Sequence, residues 1–347
     1  MKAAIFETFG GPVSVSQVDD PATPADGVVI QVAANGICRS DWHAWQGHDP
    51  EVKLPHVLGH ELAGSIVNVG PKVRRWQTGQ RVTVPFCCGC GSCLHCRSGQ
   101  TQICDNGYQP GFSGWGAYAQ YLAVPCADTN LIALPDSISA VQAASLGCRF
   151  ATAYRALVIQ GKLQPGDFVA VHGSGGVGLS VVMIAAALGA RPVAVDVRDE
   201  ALELALELGA EIAINARKVD RVSAAVFEAT GGGAHLSIDA LGSRETCLNS
   251  VMSLRKHGRH VQVGLMVAEE RKATIPMARV IHWELSLTGS FGLQTVAYPE
   301  LLSMIEGGRI DPGRLVRQEV NLDRAAEILM SMDDSPPQGI AMITAFD

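Results

Sequence analysis

The sequence predicts an α/β protein that combines a β-rich part with a doubly wound parallel sheet. Three observations predict it. Short β-branched runs bounded by glycine and proline fill the first part of the chain, as in GVVIQVAANGI, ELAGSIVNVG and QRVTVPF. A loop of closely spaced cysteines follows them, and beyond Leu163 the chain changes to alternating buried strands and helices.

Composition and charge limit the class of protein. The chain has 347 residues, of which 47% are hydrophobic and 18% charged, enough for two domains with cores of their own. The net charge of −7 is spread without a basic block, so we expect no nucleic-acid partner. No apolar run approaches the roughly 20 residues that cross a bilayer, and the start lacks a signal-peptide pattern. We therefore expect a cytoplasmic protein with no membrane partner.

Four of the ten cysteines recur at steps of three, three and eight, namely Cys90, Cys93, Cys96 and Cys104. Tetrahedral thiolate sites bind zinc at such spacings, so the loop predicts a closed structural zinc site with no open position. A disulfide knot is the alternative, although disulfides are rare in a reducing cytosol. Further cysteines are expected to be buried or spare thiols, and these are Cys87, Cys88, Cys126 and Cys247.

The second half of the chain alternates strands and helices. QPGDFVAVHGSGGVGLSVVMIAAALGARPVAVD is typical of a strand, a glycine turn, an Ala-rich helix and a second strand. DEALELALELGAE predicts a further helix ending at Gly209, and HLSIDAL and HVQVGLM predict further strands. Together these segments predict the parallel, doubly wound sheet.

The glycine turn indicates a dinucleotide site. Gly173, Gly175 and Gly178 form G-x-G-x-x-G between strand and helix, where they permit the tight turn, the approach of a pyrophosphate and the packing of helix on strand. Asp196 ends the next strand, where a carboxylate binds ribose hydroxyls and repels a 2′-phosphate, which favours NAD over NADP. Arg198 is the opposing signal, because a guanidinium can receive that phosphate.

A third group of residues lies upstream, in GICRSDWHAWQGHDPEVKLPHVLGHELAGSIVNVG. Cys38 and His60, with the neighbouring Glu61, offer ligands of the kind that zinc accepts. Taken one at a time, each is more often a packed core residue than a ligand.

The whole chain resembles the zinc-dependent medium-chain alcohol dehydrogenases. The resemblance rests on GHE at 59–61, CRSDWH at 38–43, the four-cysteine loop, GCRFATAY at 147–154 and the glycine turn. It implies a GroES-like, zinc-binding catalytic domain from 1–149 and 292–347, a Rossmann NAD-binding domain from 150–291, and an active site in the cleft between them.

The resemblance also implies a catalytic metal. It places the third ligand at Cys148, so that Cys38, His60 and Cys148 hold zinc with water or substrate in the fourth position. Glu61 would be a second carboxylate of the site, and Asp41 the partner that orients His60. With the four-cysteine loop, we expect two zinc ions per chain.

The implied chemistry is reversible hydride transfer between a primary or secondary alcohol and NAD, giving the aldehyde or ketone. Zinc lowers the pKa of a hydroxyl. Ser40 accepts the substrate proton, and a ribose hydroxyl relays it to His43 and on to water. The alternatives are a polyol or other specialised zinc-dependent dehydrogenase, and a non-catalytic relative that binds zinc or NAD.

Further cofactor contacts follow from the same resemblance. Arg39 matches a residue that contacts the pyrophosphate, and Thr152 one that packs on the nicotinamide. The family's arginine near the C-terminus has no counterpart here, where Ile340 or a neighbour stands. Arg149 is unexpected beside a metal ligand, and we expect it to point away from the site. We also assign four other residues to the cofactor site, namely Gly176, Val177, Leu241 and Val263.

The substrate pocket and the oligomeric state are expectations of the same kind. Phe86 matches a position that lines the alcohol pocket, and Leu265 is expected to face the same space. Aromatic residues in the surrounding loops contact substrate or simply pack, and these are Trp45, Phe112 and Trp115. The short stretch from Cys104 to Tyr118 resembles the tetrameric members of the family, so we expect a homotetramer, with a dimer as the alternative.

Overall fold

Short strands and short helices build the first part of the chain. The computed structural model describes residues 1–335 and 337–347, with the side chains of all of these except 268 and 269. The strands are β1 (Lys2–Phe6), β2 (Val13–Gln17), β3 (Val28–Ile37), β4 (His56–Val57), β5 (Leu62–Val69), β6 (Arg81–Thr83), β7 (Tyr121–Val124) and β8 (Ile132–Ala133). The helices are α1 (Arg39–Trp45), α2 (Leu94–Arg97), α3 (Ala127–Asn130), α4 (Ala140–Ala144) and α5 (Ala151–Tyr154).

Strands and helices alternate in the middle of the chain, as the sequence predicts. The strands are β9 (Phe168–His172), β10 (Arg191–Asp196), β11 (Ile212–Asn215), β12 (Ala234–Asp239), β13 (Leu254–Gln262) and β14 (Ser286–Gly289). The helices are α6 (Gly176–Ala187), α7 (Asp199–Glu207), α8 (Val222–Thr230), α9 (Arg244–Met252) and α10 (Met277–Trp283). The tail adds α11 (Tyr298–Glu306), β15 (Val316–Asn321), α12 (Leu322–Met330) and β16 (Ile340–Ala345).

The chain divides into two compact units. The first comprises 1–151 and 292–347, and the second comprises 152–291. In the first unit, β16 of the tail pairs with β3, which also pairs with β5 and β7 in a largely antiparallel sheet. The core packs inward-facing residues of these strands around Tyr118 and Leu62, both fully buried.

All the strand pairs of the second unit are parallel, in the order β11-β10-β9-β12-β13-β14. Every residue of β9 is buried, because helices cover both faces of a parallel sheet. The chain leaves β9 for β10 on one side and returns to β12 on the other, so the order reverses beside the carboxyl end of β9. Ligands bind at such a switch point in open α/β sheets. The predicted fold class, a Rossmann sheet with a β-rich domain, is confirmed.

Two π-helical turns, Leu146–Phe150 and Arg155–Gln160, flank α5. Such turns are rare and often occur at functional sites.

Of the helices in the described part of the chain, none is both long and apolar enough to cross a bilayer.

Candidate metal and cofactor sites

A buried carboxylate links two segments of the first unit. Asp41 lies in the first turn of α1, and its Oδ2 accepts a hydrogen bond from the backbone N–H of Cys38, 2.9 Å away. Its Oδ1 accepts bonds from the backbone N–H of Gly59 at 3.1 Å and from Nδ1 of His60 at 2.8 Å. Asp41 thereby fixes the ring of His60 and Cys38, the residue just before α1.

The other ring nitrogen of His60, Nε2, is a candidate metal ligand. His60 is fully buried, and its Nε2 has no hydrogen-bond partner among the described residues. Ligand atoms of Cys38, His60, Glu61 and Cys148 all lie within 4.8 Å of one another, and all four residues are buried. A buried, unpaired imidazole nitrogen beside two sulfurs fits a soft or borderline metal such as zinc.

The pKa values of Cys38, Cys148 and His60 depend on contacts within this buried group and with Asp41. A hydrogen bond from Cys148 lowers the pKa of Cys38 well below the usual thiol value, and the same bond raises the pKa of Cys148. Burial alone would lower the pKa of His60, but the charge of Asp41 and the hydrogen bond to it raise that pKa well above its usual value. Thiolate is the form of cysteine that binds metals, and Cys38 is already favoured in that form.

Arg149 does not point away from this group, so that expectation is wrong. Its backbone N–H and Nε donate to Oε1 of Glu61 at 3.1 and 2.9 Å, and its terminal Nη2 donates to Oε2. Glu61 is fully buried and Arg149 is 6% exposed. Burial alone would lower the pKa of Arg149, but the charge of Glu61 raises it, so the guanidinium is charged. A buried carboxylate needs a cationic partner of this kind. The sequence gives no sign of this pair, because Arg149 and Glu61 are 88 residues apart.

The four-cysteine loop forms a second candidate metal site. The sulfurs of Cys90, Cys93, Cys96 and Cys104 lie within 4.8 Å of one another. The sulfurs of Cys93 and Cys104 are 3.7 Å apart. This agrees with a tetrahedral zinc site, in which bonds of about 2.3 Å place the sulfurs about 3.8 Å from one another. None of the described cysteines is in a disulfide bond. Hydrogen bonds from Ser92 and then from the N–H of Cys93 lower the pKa of Cys90 to about 5.

His43 has a partner that the sequence reasoning missed. Its Nδ1 lies 3.0 Å from Nδ1 of His48, which is exposed. Burial first, then the charges of Arg39 and His48, lower the pKa of His43 to about 4. Arg39 stacks on Trp42 at 3.9 Å and forms an ion pair with Asp333 at 2.7 Å. The position of His48 on the chain carries no signal of this contact, since a loop separates the two histidines.

The predicted pocket aromatics take different places. Phe86 belongs to a buried cluster with Cys38 and Cys148, and its ring lies 6.1 Å from that of His60. The ring of Phe112 lies 5.3 Å from that of His60. Trp45 is 5% exposed and packs in the core, where its indole N–H donates to the carbonyl of residue 11 at 2.8 Å. Two further positions are Trp115, which is 37% exposed, and Ile340, which is buried at the start of β16.

In the second unit, the glycine turn connects β9 to α6. Gly173 has φ of +96°, a conformation that favours glycine. A Cβ on Gly178 would lie 1.8 Å from the carbonyl oxygen of Gly173, so only glycine permits this packing. A Cβ on Gly175 would meet nothing within 4 Å, which leaves open space beside the turn for a ligand. Gly176 and Val177 begin α6, at the helix end that attracts phosphate.

Asp196 is attached to that turn. Its Oδ2 accepts a hydrogen bond from the backbone N–H of Ser174 at 2.7 Å, and its Oδ1 accepts bonds from the N–H groups of Val197 and Arg198. The side chain of Arg198 approaches the same carboxylate, with Nε 3.5 Å from Oδ1. Asp196, which favours NAD, and Arg198, which could favour NADP, therefore contact each other.

A second carboxylate, Asp239 at the end of β12, holds the next loop. Its Oδ1 accepts bonds from the N–H groups of Leu241 and Gly242, and Gln262 donates to its Oδ2 at 2.9 Å. The backbone N–H of Val263 donates to the carbonyl of Asp239 at 3.0 Å. Sequence reasoning selected Leu241 and Val263 but missed the residue that fixes them, although an acid at a strand end is a usable signal.

Two other predicted residues of this unit differ in burial. Thr152 is 7% exposed, and its hydroxyl has no hydrogen-bond partner among the described residues. Leu265 is 51% exposed.

Comparisons with known proteins agree with this architecture. Residues 24–136 match the model of the alcohol dehydrogenase GroES-like domain, and residues 176–307 match that of the zinc-binding dehydrogenases. An alcohol dehydrogenase of Geobacillus stearothermophilus is 32% identical over 98% of this chain and 97% of its own length. An NAD-dependent alcohol dehydrogenase of Sulfurisphaera tokodaii is 34% identical over 96% of this chain and 97% of its own. The solved structure of an alcohol dehydrogenase from Thermus sp. ATN1 superposes with a TM-score of 0.91 at 33% identity, covering 99% of this chain and all of that one.

Proposed function

Because the chain belongs to the zinc-dependent alcohol dehydrogenases of the medium-chain dehydrogenase/reductase superfamily, we propose that it transfers a hydride reversibly between a primary or secondary alcohol and NAD, giving the aldehyde or ketone. Full-length relatives named alcohol dehydrogenase support that activity in general. The observation that supports the mechanism most directly is the buried group of two thiols and the unpaired Nε2 of His60.

The proposal assigns two zinc ions to each chain. Cys38, His60 and Cys148 would hold the catalytic ion, and Cys90, Cys93, Cys96 and Cys104 the structural one. A catalytic zinc supplies Lewis acidity that brings the pKa of a hydroxyl group toward neutrality. Phe86, packed beside these ligands, would line the alcohol pocket, and Leu265 stays our proposal for a second pocket residue.

Two side chains on α1 would transfer the proton from the substrate toward solvent. Ser40 and His43 lie three residues apart and therefore on one face of the helix. We assign Ser40 to accept the proton of the substrate hydroxyl and His43 to pass a proton outward. The contact of His43 with His48 extends this path to an exposed side chain. An imidazole suits the task, because it receives a proton on one nitrogen and releases one from the other.

The second unit would bind NAD. The turn with Gly173, Gly175, Gly176, Val177 and Gly178 would receive the pyrophosphate, and Asp196 the adenosine ribose. Thr152 would pack on the nicotinamide, and Leu241 and Val263 would also contact the cofactor. Arg39 would bind the pyrophosphate only after it leaves Asp333. A homotetramer in the cytoplasm remains our proposal for the assembly and its location.

A panel of alcohols and carbonyl compounds, followed at the nicotinamide absorbance with NAD and NADP in parallel, tests the function. Oxidation of simple primary or secondary alcohols with NAD supports it. Turnover of sugar alcohols alone would indicate a polyol dehydrogenase, and no turnover of any member would indicate a non-catalytic relative.

Elemental analysis of the metal-replete protein should find two zinc ions per chain. The variant Cys104→Ser should retain the catalytic ion and lose the structural one, because that site has no spare ligand. Its thermal unfolding temperature should fall. A reproducible value near one zinc in the unmodified protein would show that one ligand set has been misassigned.

Replacing Asp196 with alanine should lower kcat/KM for NAD about tenfold or more and raise kcat/KM for NADP, since ribose hydrogen bonds to a charged group and repulsion of a 2′-phosphate are both lost. Asp196→Asn is the matched control, because it keeps an acceptor for the Ser174 N–H while removing the charge. Kinetics with both cofactors measure the change. A preference of the unmodified protein for NADP would refute the assignment.

His43→Gln should slow alcohol oxidation most at low pH, with zinc content and NAD affinity unchanged. Since the pKa of His43 is about 4, the imidazole is neutral throughout pH 6–10, and the predicted difference reflects the supply of bases in solution rather than its own titration. Rates across this range with and without added buffer base measure it, with His282→Gln on α10 as the control. No rescue by buffer would remove His43 from the proton path.

A further inference from the structure

We propose that Arg149 is a positioning residue that keeps the Glu61 carboxylate away from the catalytic metal and so preserves an open position for substrate. This inference rests on the proposed metal at Cys38, His60 and Cys148.

Both oxygens of Glu61 are engaged by a single residue. Oε1 accepts two hydrogen bonds from Arg149, one from the backbone N–H and one from Nε, and Oε2 accepts one from Nη2. This is the bidentate pairing that binds a carboxylate most directionally. Because one donor is the backbone N–H directly after Cys148, the chain that places a metal ligand also places this carboxylate.

Glu61 is nevertheless close enough to compete for the metal. A carboxylate oxygen of Glu61 lies within 4.8 Å of the ligand atoms of Cys38, His60 and Cys148. All of these residues are buried, so water does not stabilise an unpaired charge there. Among the described residues at this group, Arg149 is the cation that neutralises Glu61. Without it, a bound metal ion would be the nearest positive charge.

The surrounding backbone leaves room for the pair. A Cβ on Gly36, at the end of β3, would lie 2.3 Å from Oε2 of Glu61 and 2.9 Å from Nη2 of Arg149. A Cβ on Gly147 would lie 2.6 Å from Cα of Glu61. Two glycines therefore make space for the carboxylate and the guanidinium to meet, which indicates that the pair is a built part of the site.

Cobalt(II) spectroscopy with imidazole as a probe ligand tests the proposal. Cobalt replaces zinc in the whole protein, and imidazole binding is followed in the visible spectrum, which reports the coordination of the ion rather than turnover. The four-cysteine site is closed, so its bands should not respond to imidazole and provide an internal reference. The proteins compared are the unmodified chain, Arg149→Met, Glu61→Gln and the double variant.

In Arg149→Met, Glu61 should take the fourth position, and imidazole should bind about tenfold more weakly or worse, as expected when a supporting residue of a metal site is lost. The double variant should restore the affinity, because glutamine is a poor ligand. Glu61→Gln alone should change the affinity little, since Glu61 is already held away from the ion in the unmodified protein.

Equal imidazole affinity in Arg149→Met and the unmodified protein would overturn the proposal. So would a roughly tenfold tightening in Glu61→Gln alone, which would mean that Glu61 normally occupies the metal. This second comparison decides the matter if Arg149→Met does not fold. Failure of the proposed metal site itself would give a different result. In that case the cobalt spectra of the unmodified protein and of Cys38→Ser would be the same.

Discussion

The carboxylate of Asp41 is the constraint on which the rest of the candidate metal site depends. It is fully buried and accepts four hydrogen bonds, from the N–H groups of Cys38 and Gly59, from His60 Nδ1 and from the hydroxyl of Tyr118 at 3.2 Å. Burial first, then the charge of Asp41, raise the pKa of Tyr118 well above its usual value, so its hydroxyl stays a donor. A buried charge with this many donors ties three segments together, and two of them carry candidate ligands.

Close backbone packing makes those contacts possible. Gly59 has φ of +108°, and a Cβ there would lie 2.7 Å from the backbone nitrogen of Tyr118. The turn at Gly59 therefore places two consecutive residues in contact with different partners. His60 contacts Asp41, and Glu61 contacts Arg149. Asp41 fixes the ring of the candidate ligand His60, whereas Arg149 holds the carboxylate that we propose would otherwise compete for the metal. The second unit repeats this use of acids, since Asp196 holds the glycine turn and Asp239 the loop at Leu241.

Patterns with strict local spacing predict much of this structure. The four-cysteine loop (90–104) and the glycine turn (173–178) are both short, continuous segments, and their requirements appear directly as cysteine steps and as glycines at fixed positions. The parallel sheet is likewise visible in the buried runs of β9 and β10. Cys148 is different, because nothing near it marks a ligand, and only the resemblance to a known family selected it.

The remaining features depend on contacts between distant segments. Arg149 meets Glu61 across 88 residues, and Arg39 meets Asp333 across 294, so neither pair leaves a local signal. Trp45 was selected as an aromatic of a loop, but it ends α1 and faces the core. In each case the contact is set by tertiary packing between distant segments and not by the neighbouring sequence.

The central claim, that Asp41 builds the catalytic metal site, is tested most directly by the zinc affinity of Asp41→Asn in competition with a chromophoric chelator. An amide has the same shape but one acceptor oxygen, so donors on its other side lose their partner. The catalytic zinc should bind about 10 to 100 times more weakly, while the zinc of the four-cysteine loop stays bound. Two zinc ions held with unchanged affinity would contradict the account.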